Sequence, residues 1–297
     1  AFNLIAGTAW LFARPEMDQT LDYLFVDEAG QLSLGHLLAM GLSARNIVLV
    51  GDQMQLSQPI QGTHPGDSAL SALEYLLRDH ATVPPERGMF LGVTRRMHPD
   101  VCKFISEAVY EGRLHAHPGT SKRKLLLTDR ADRALKPAGL SFVDVTHEDC
   151  RQRCPAEAQR IKEIFESLLK QCWIEADGYE RQIKIEDILV VSPYNMQVNL
   201  LETSLPTGAR VGTVDRFQGQ EAAVVIVSMT TSSAEEAPRG LEFLFSQNRL
   251  NVAVSRAKSL AIIVANPRLL EASCAHVEQM KLVNTLCFAR AFATEGL

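Results

Sequence analysis

The sequence contains no apolar run of eighteen residues, so no membrane-spanning helix is expected from it. It also lacks a basic and then apolar leader. It opens Ala1-Phe2-Asn3-Leu4 with no initiator Met, so no signal peptide is visible and the chain reads as a fragment or a processed piece. Internal repeats and low-complexity tracts are missing as well. Cysteines are few. Six of them (Cys102, Cys150, Cys154, Cys172, Cys274, Cys287) are scattered over a chain too large to need staples, which points to a reducing compartment, by default the cytoplasm. His147, Cys150, Cys154 and Cys172 form a conceivable metal set, but the spacing around Cys150 and Cys154 has no zinc-knuckle or ribbon partner. They are read as ordinary surface and core residues.

What is present is ordinary for globular protein. With 297 residues, 46% hydrophobic and 22% charged, the chain can bury one large or two medium cores, and disordered and collagen-like readings are excluded. The net charge of -5 does not announce a nucleic-acid binder. It does not exclude one, because a local basic groove supplies phosphate contacts whatever the total charge.

Short apolar runs at 21–26, 46–50, 140–145, 188–191, 222–229 and 259–264 read as buried strands. Between them, 99–110, 155–172, 197–205 and 275–292 carry apolar residues at helical spacing, several opening on a Pro or a polar cap. Alternating strands and helices imply a parallel sheet covered on both faces. Two prolines and a glycine in Thr82-Val83-Pro84-Pro85-Glu86-Arg87-Gly88 break both periodicities and mark a boundary between 1–88 and 89–297. The stretch from Ser232 to Gly240 reads as a flexible surface loop.

Leu24-Phe25-Val26-Asp27-Glu28-Ala29 is an apolar strand ending in two acids. At the carboxyl edge of an α/β sheet, Asp27 would hold a magnesium ion through water, and Glu28 would orient or deprotonate an attacking water. An acidic pair capping the next helix is the equal alternative at this point. A second strand ends in Gly51-Asp52-Gln53-Met54-Gln55-Leu56, opening a second polar constellation into the same crevice. There Gln55 can sense a terminal phosphate or its attacking water. Thr94-Arg95-Arg96-Met97-His98-Pro99 enters a helix. An arginine there is either a surface residue or a finger that neutralises charge on a transferring phosphoryl group. Polar segments Val211 to Glu221 and Asn251 to Lys258 each precede an apolar strand.

In this order the blocks resemble the superfamily 1 helicases, most closely the branch of the nonsense-mediated-decay and immunoglobulin-mu-binding helicases. The resemblance runs from about Gly7 to Asn266. It implies a Walker B pair at Asp27 and Glu28, and a phosphate sensor in Gly51, Asp52 and Gln55. Arg96, in the match to a Tyr-Arg-Met-His-Pro block, becomes a finger, and Arg256, in Val-Ala-Val-Ser-Arg-Ala, a second one. The Gln-Gly-x-Glu block falls on Gln218, Gly219 and Glu221, with Glu221 a ribose or phosphate-side contact. Thr8, Pro193, Tyr194 and Thr213 are the implied nucleic-acid contacts, read equally as turn residues.

Two departures stand out. The position where the family carries an aromatic for adenine is Arg95, so stacking there falls to a guanidinium plane or to another group. No Gly-x-x-x-x-Gly-Lys-Ser/Thr loop occurs, and the resemblance places it upstream, in a Walker A segment of the same gene product. The expected fold is therefore α/β, with P-loop NTPase RecA-like parallel sheets: one partial domain at 1–88 and one complete domain at 89–297. The implied protein is a monomeric motor that binds ATP and Mg2+ and moves along single-stranded DNA or RNA. A non-catalytic helicase-like scaffold is the rival reading.

Overall fold

The computed structural model describes residues 3–58, 62, 65–78 and 80–295, so the opening Ala1 and Phe2 lie outside the described residues. The chain divides into two compact units, Ala1–Phe90 and Leu91–Leu297.

In the first unit, α1 (Ala9–Phe12) precedes β1 (Leu21–Val26), which leads through α2 (Leu34–Gly41) to β2 (Ala44–Leu49) and later to α3 (Ala72–Leu77). The two strands are parallel, in register from Leu21 against Ala44 to Val26 against Leu49. Both longer helices are capped locally. The Ser33 hydroxyl accepts the His36 N–H, and Ser71 and Glu74 form a reciprocal capping box at the start of α3. Leu24 and Val26 point inward against Phe12, Met40, Ala44, Leu73 and Leu77. The expectation that β1 and β2 are buried on both faces is corrected: Tyr23 and Phe25 are 60% and 69% exposed, and Ile47 and Val48 are also exposed. Side chains alternate across a strand, and the described core of this unit covers only the Leu24–Val26 face.

The second unit holds a five-stranded sheet of order β10-β9-β11-β12-β6, parallel throughout. Its elements begin with β3 (Val93–Thr94), α4 (Pro99–Val109), β4 (His115–Ala116), β5 (Lys124–Leu126), β6 (Gly139–Asp144) and α5 (Pro155–Leu168). They continue through β7 (Cys172–Ile174), β8 (Glu180–Gln182), β9 (Ile188–Val191), α6 (Asn195–Ser204), β10 (Arg210–Gly212) and β11 (Ala222–Ser228). The last are α7 (Leu241–Leu244), α8 (Gln247–Ser255), β12 (Ala257–Ala265) and α9 (Val277–Glu295). Helices α5 and α6 pack together on one face, while α4, α8 and α9 cover the other. Every residue of β9 and β11 is buried, which is why those segments read as unbroken apolar runs. Each Val, Leu or Ile among them contributes about 1.5–3 kcal/mol of burial against the entropy of ordering it.

Two local expectations are corrected. The helix foreseen to Cys172 stops at Leu168, and Cys172 opens β7 in an antiparallel sheet of order β5-β7-β8. That sheet is anchored from the side: Trp173 Nε1 donates to Ser259 Oγ at 2.8 Å. The loop foreseen as a flexible surface segment begins instead with buried Ser232, Ser233 and Ala234, because hydrogen bonds to the segment after β6 hold Ser232 inside.

Candidate functional site

In the first unit the parallel pairing of β1 and β2 decides everything that follows. Strands that run the same way end on the same side, so Asp27-Glu28 and Gly51-Asp52 emerge together at one carboxyl edge. Their backbones then lock. Val50 N–H donates to Val26 O at 2.8 Å and Ala29 N–H to Val50 O at 2.9 Å. The approach is so close that a Cβ on Gly51 would stand 2.7 Å from Ala29 N, and one on Gly30 would stand 2.7 Å from Asp52 O. Only glycine fits at either position.

Glu28 is held in the left-handed region at φ 53°, with its N–H donating to Asp27 Oδ1 at 3.0 Å. Both acids are exposed. Asp52 organises the second segment: Oδ1 accepts the Met54 N–H at 2.9 Å and Oδ2 accepts Gln55 Nε2 at 3.0 Å. Gln55 is thus oriented by Asp52. Gln53, to which the sequence assigns no role, fixes the same loop by donating to His80 O and Ala81 O at 3.0 and 2.8 Å.

In the second unit the arginine segment is clamped onto the start of β12, where His98 N–H donates to Lys258 O at 2.8 Å. Arg96 Nε reaches Glu221 Oε2 at 2.9 Å, and Lys258 Nζ reaches Glu221 Oε1 at 2.7 Å. Burial alone would raise the Glu221 carboxyl, but the hydrogen bonds from Lys258 and Arg96 outweigh it and hold the group below the usual carboxylate range. Arg123 supports the turn from beneath by donating to the Arg95 and Arg96 carbonyls. Arg95 itself is exposed. Arg256, at the C-cap of α8, is only 4% exposed, and its carbonyl accepts the Ala222 N–H at 3.1 Å.

Glu221 and Arg256 immediately precede β11 and β12, Lys258 lies at the start of β12, and Arg96 is bonded to Glu221, so the four gather at the amino edge of the sheet. Gln218, half-buried, and exposed Gly219, at φ 77°, lie on the segment that leads there. Pro193, Tyr194 and Thr213 follow β9 and β10 and stand at the opposite, carboxyl edge. The two sets therefore occupy opposite ends of one sheet. The sequence assigns no role to Lys258; its place two residues after Arg256 is the signal that points to it.

Exposed Thr8 is the N-cap residue of α1. Thr213 is half-buried, its carbonyl accepting the Arg216 N–H. Tyr194 departs from its sequence reading: it is 4% exposed, its ring packs on Phe243 at 5.8 Å, and its hydroxyl accepts from Thr231 Oγ1 at 3.4 Å. A ring enclosed in this way has no face left for a base. Phe243 also lies under the guanidinium groups of Arg239 and Arg249, at 3.8 and 4.6 Å; Arg249 is paired with Asp215 Oδ2 at 3.0 Å, so the charge this stack brings to the edge is that of Arg239. Nothing in the local sequence signalled that stack.

Residues 69–268 match the family model described as an AAA domain. Over 262 residues the chain is 28% identical to the DNA polymerase alpha-associated DNA helicase A of Schizosaccharomyces pombe, covering 84% of this chain and 37% of that protein. It is likewise 28% identical over 273 residues to the ATP-dependent helicase upf1 of the same organism, covering 83% of this chain and 27% of the relative. The chain thus spans well under half the length of these relatives. Among solved structures, that of the PRRSV helicase overlaps 82% of this chain and 34% of its own, at 16% identity and a TM-score of 0.40.

Proposed function

Because the chain belongs to the AAA domain family, we propose that it is the C-terminal part of the motor of an ATP-driven superfamily 1 helicase. The whole protein hydrolyses ATP and moves along single-stranded DNA or RNA. The observation that carries the reading is the pairing of β1 with β2, which brings an acid pair and an Asp-held glutamine to one sheet edge.

The residues fit Mg2+ and ATP. Asp27 and Glu28 are exposed hard-oxygen donors, suited to an ion that keeps its waters. Bound Mg-ATP supplies the phosphoryl group and the counter-charge on its oxygens. In this reading Asp27 holds the ion through water, Glu28 takes the proton of the attacking water, and Gln55, oriented by Asp52, positions that water. Gly51 lets the two segments approach. Arg96 and Arg256 answer the charge that develops on the phosphoryl oxygens, with Glu221, Gln218 and Gly219 ordering the arginine edge and Arg95 offering its guanidinium plane to the base.

The nucleic-acid contacts are assigned to Thr8, Pro193 and Thr213, with Tyr194 acting from the core to hold Pro193 in place. Arg239 supplies positive charge beside them. The Walker A segment is assigned to another part of the same gene product. ATPase assays on the whole protein test the reading: turnover should rise on adding single strands, and binding should weaken steeply with salt and show little sequence preference. Turnover that ignores single strands, or absent turnover in a protein that carries a Walker A loop, would sink it.

A further inference from the structure

The segment joining β6 to α5 carries three donor side chains to which the ATP reading gives no role. His147 is 8% exposed, Cys154 is fully buried and Cys150 is half-buried. A ring nitrogen of His147 and the sulfurs of Cys150 and Cys154 all lie within 4.8 Å of one another.

Each of the three is pinned by its own backbone. Asn266 Nδ2 donates to His147 O at 2.6 Å. Cys150 exchanges two bonds with Ser232, its N–H going to Ser232 Oγ at 2.9 Å and its carbonyl accepting the Ser232 N–H at 2.8 Å. Gln197 clasps Cys154 from both sides, accepting its N–H at 2.7 Å and donating to its carbonyl at 3.2 Å. The donors are therefore held in place before anything binds, and most of the ordering entropy is already spent.

We propose that this segment is a structural zinc site held by His147, Cys150 and Cys154, with an oxygen donor in the fourth position. One imidazole nitrogen and two sulfurs suit a borderline-soft ion and are poor ligands for Mg2+ or Ca2+. The surroundings match what a ligating histidine needs. His147 Nδ1 lies 2.8 Å from Ser232 Oγ and Nε2 lies 3.2 Å from Glu157 Oε1, so whichever nitrogen binds, the other keeps a hydrogen-bond partner. The fourth position falls to water, while Glu157, a fully buried carboxylate, supports the histidine from behind: its Oε2 accepts from the Ser228 hydroxyl at 2.6 Å and from the Thr230 N–H at 2.9 Å, leaving Oε1 beside His147 Nε2.

Binding involves no redox change. Zinc forms one bond to nitrogen and two to sulfur, and the two thiol protons pass to solvent. The ion would tie the segment that follows β6 to the start of α5, with Ser232 bonded to its rim. A Cys150–Cys154 disulfide is the competing chemistry, and it gives no reason for the imidazole to converge on the same point.

The test is the zinc content of the whole protein, purified under reducing conditions without chelators, in the wild type and in Cys150→Ser and Cys154→Ser. Each variant should hold about one zinc fewer per molecule than the wild type. Cobalt substituted for zinc in the wild type should give a thiolate-to-cobalt charge-transfer band, which is lost together with the metal in Cys150→Ser and Cys154→Ser. Stripping the wild type with a chelator should lower its melting temperature, and added zinc should restore it, a readout that needs no variant to fold. Equal zinc content in wild type and both variants overturns the proposal. So does a wild type without thiolate-to-cobalt absorption, or one isolated under those conditions with a Cys150–Cys154 disulfide.

Discussion

Arg96 and Glu221 are joined by a hydrogen-bonded ion pair, Nε to Oε2 at 2.9 Å, across 125 residues of sequence. Lys258 holds the other oxygen of the same carboxylate at 2.7 Å, so Glu221 positions two cations at the amino edge of the sheet. In the proposed motor Arg96→Ala should lower kcat by about three to five powers of ten and change nucleotide affinity much less, because a finger acts on charge present in the transition state. Arg96→Lys should restore little of it, since an ammonium lacks the guanidinium fork. ATPase rates of the whole protein with single strands are the measurement. A wild-type rate in Arg96→Ala would remove the residue from the chemistry.

Arg256 separates a catalytic from a structural role. Being 4% exposed, it affects both stability and turnover when removed. Arg256→Ala should cost about 1–3 kcal/mol of stability. If it is also the second finger, turnover per folded molecule should fall by about three powers of ten or more. Melting temperature and ATPase rate read on the same preparation distinguish the two; a lowered melting point with unchanged turnover per folded molecule leaves only the structural role.

The glycines at the acid edge are tested by adding one methyl group. Gly51→Ala and Gly30→Ala each place a Cβ 2.7 Å from backbone atoms that cannot rotate away. Each should destabilise by about 1–3 kcal/mol, read by urea unfolding, and should depress turnover by separating Asp27 from Gln55. Gly112→Ala, where a Cβ would meet nothing within 4 Å, is the control for crowding. Its φ of 75° leaves only a backbone strain cost, of order 1 kcal/mol.

Asp187 gives a pH signature. Burial alone would raise its carboxyl, but the Arg181 fork at 2.5 and 2.7 Å outweighs it and holds the group below the usual range. A depressed folded value contributes stability above the unfolded pKa of about 3.9, and this is lost as pH falls through the folded one. Asp187→Asn should therefore flatten the fall in melting temperature on the acid side. Arg181→Met, which leaves a buried carboxylate without its partner, should cost about 2 kcal/mol or more at neutral pH. An acid limb of equal slope in Asp187→Asn and wild type would contradict this account.

For Tyr194 the expected outcome is a loss of stability without a loss of binding. Tyr194→Leu should destabilise by about 1–3 kcal/mol, while single-strand affinity of the folded protein stays within about twofold. A stacking role would instead cost about 1–3 kcal/mol of binding. Fluorescence titration of single strands beside thermal unfolding decides it.

The sequence by itself determined the alternation of strands and helices and the residues at the strand ends. Unbroken apolar runs such as Ile188–Val191 have only one comfortable place, the middle of a parallel sheet, and Pro99 and Pro155 at helix starts show where the chain turns. It also set Asp27, Glu28 and Gln55 apart as polar groups that follow apolar strands. The periodicity of β1 could not reveal which of its faces the described core covers, that of Leu24 and Val26, since this depends on elements far away in sequence. Nor could any local pattern enclose Tyr194, pair Arg96 with Glu221, or draw Ser232 down onto His147 and Cys150. Those contacts span tens to more than a hundred residues, and they exist only because packing five parallel strands brings distant ends to common edges.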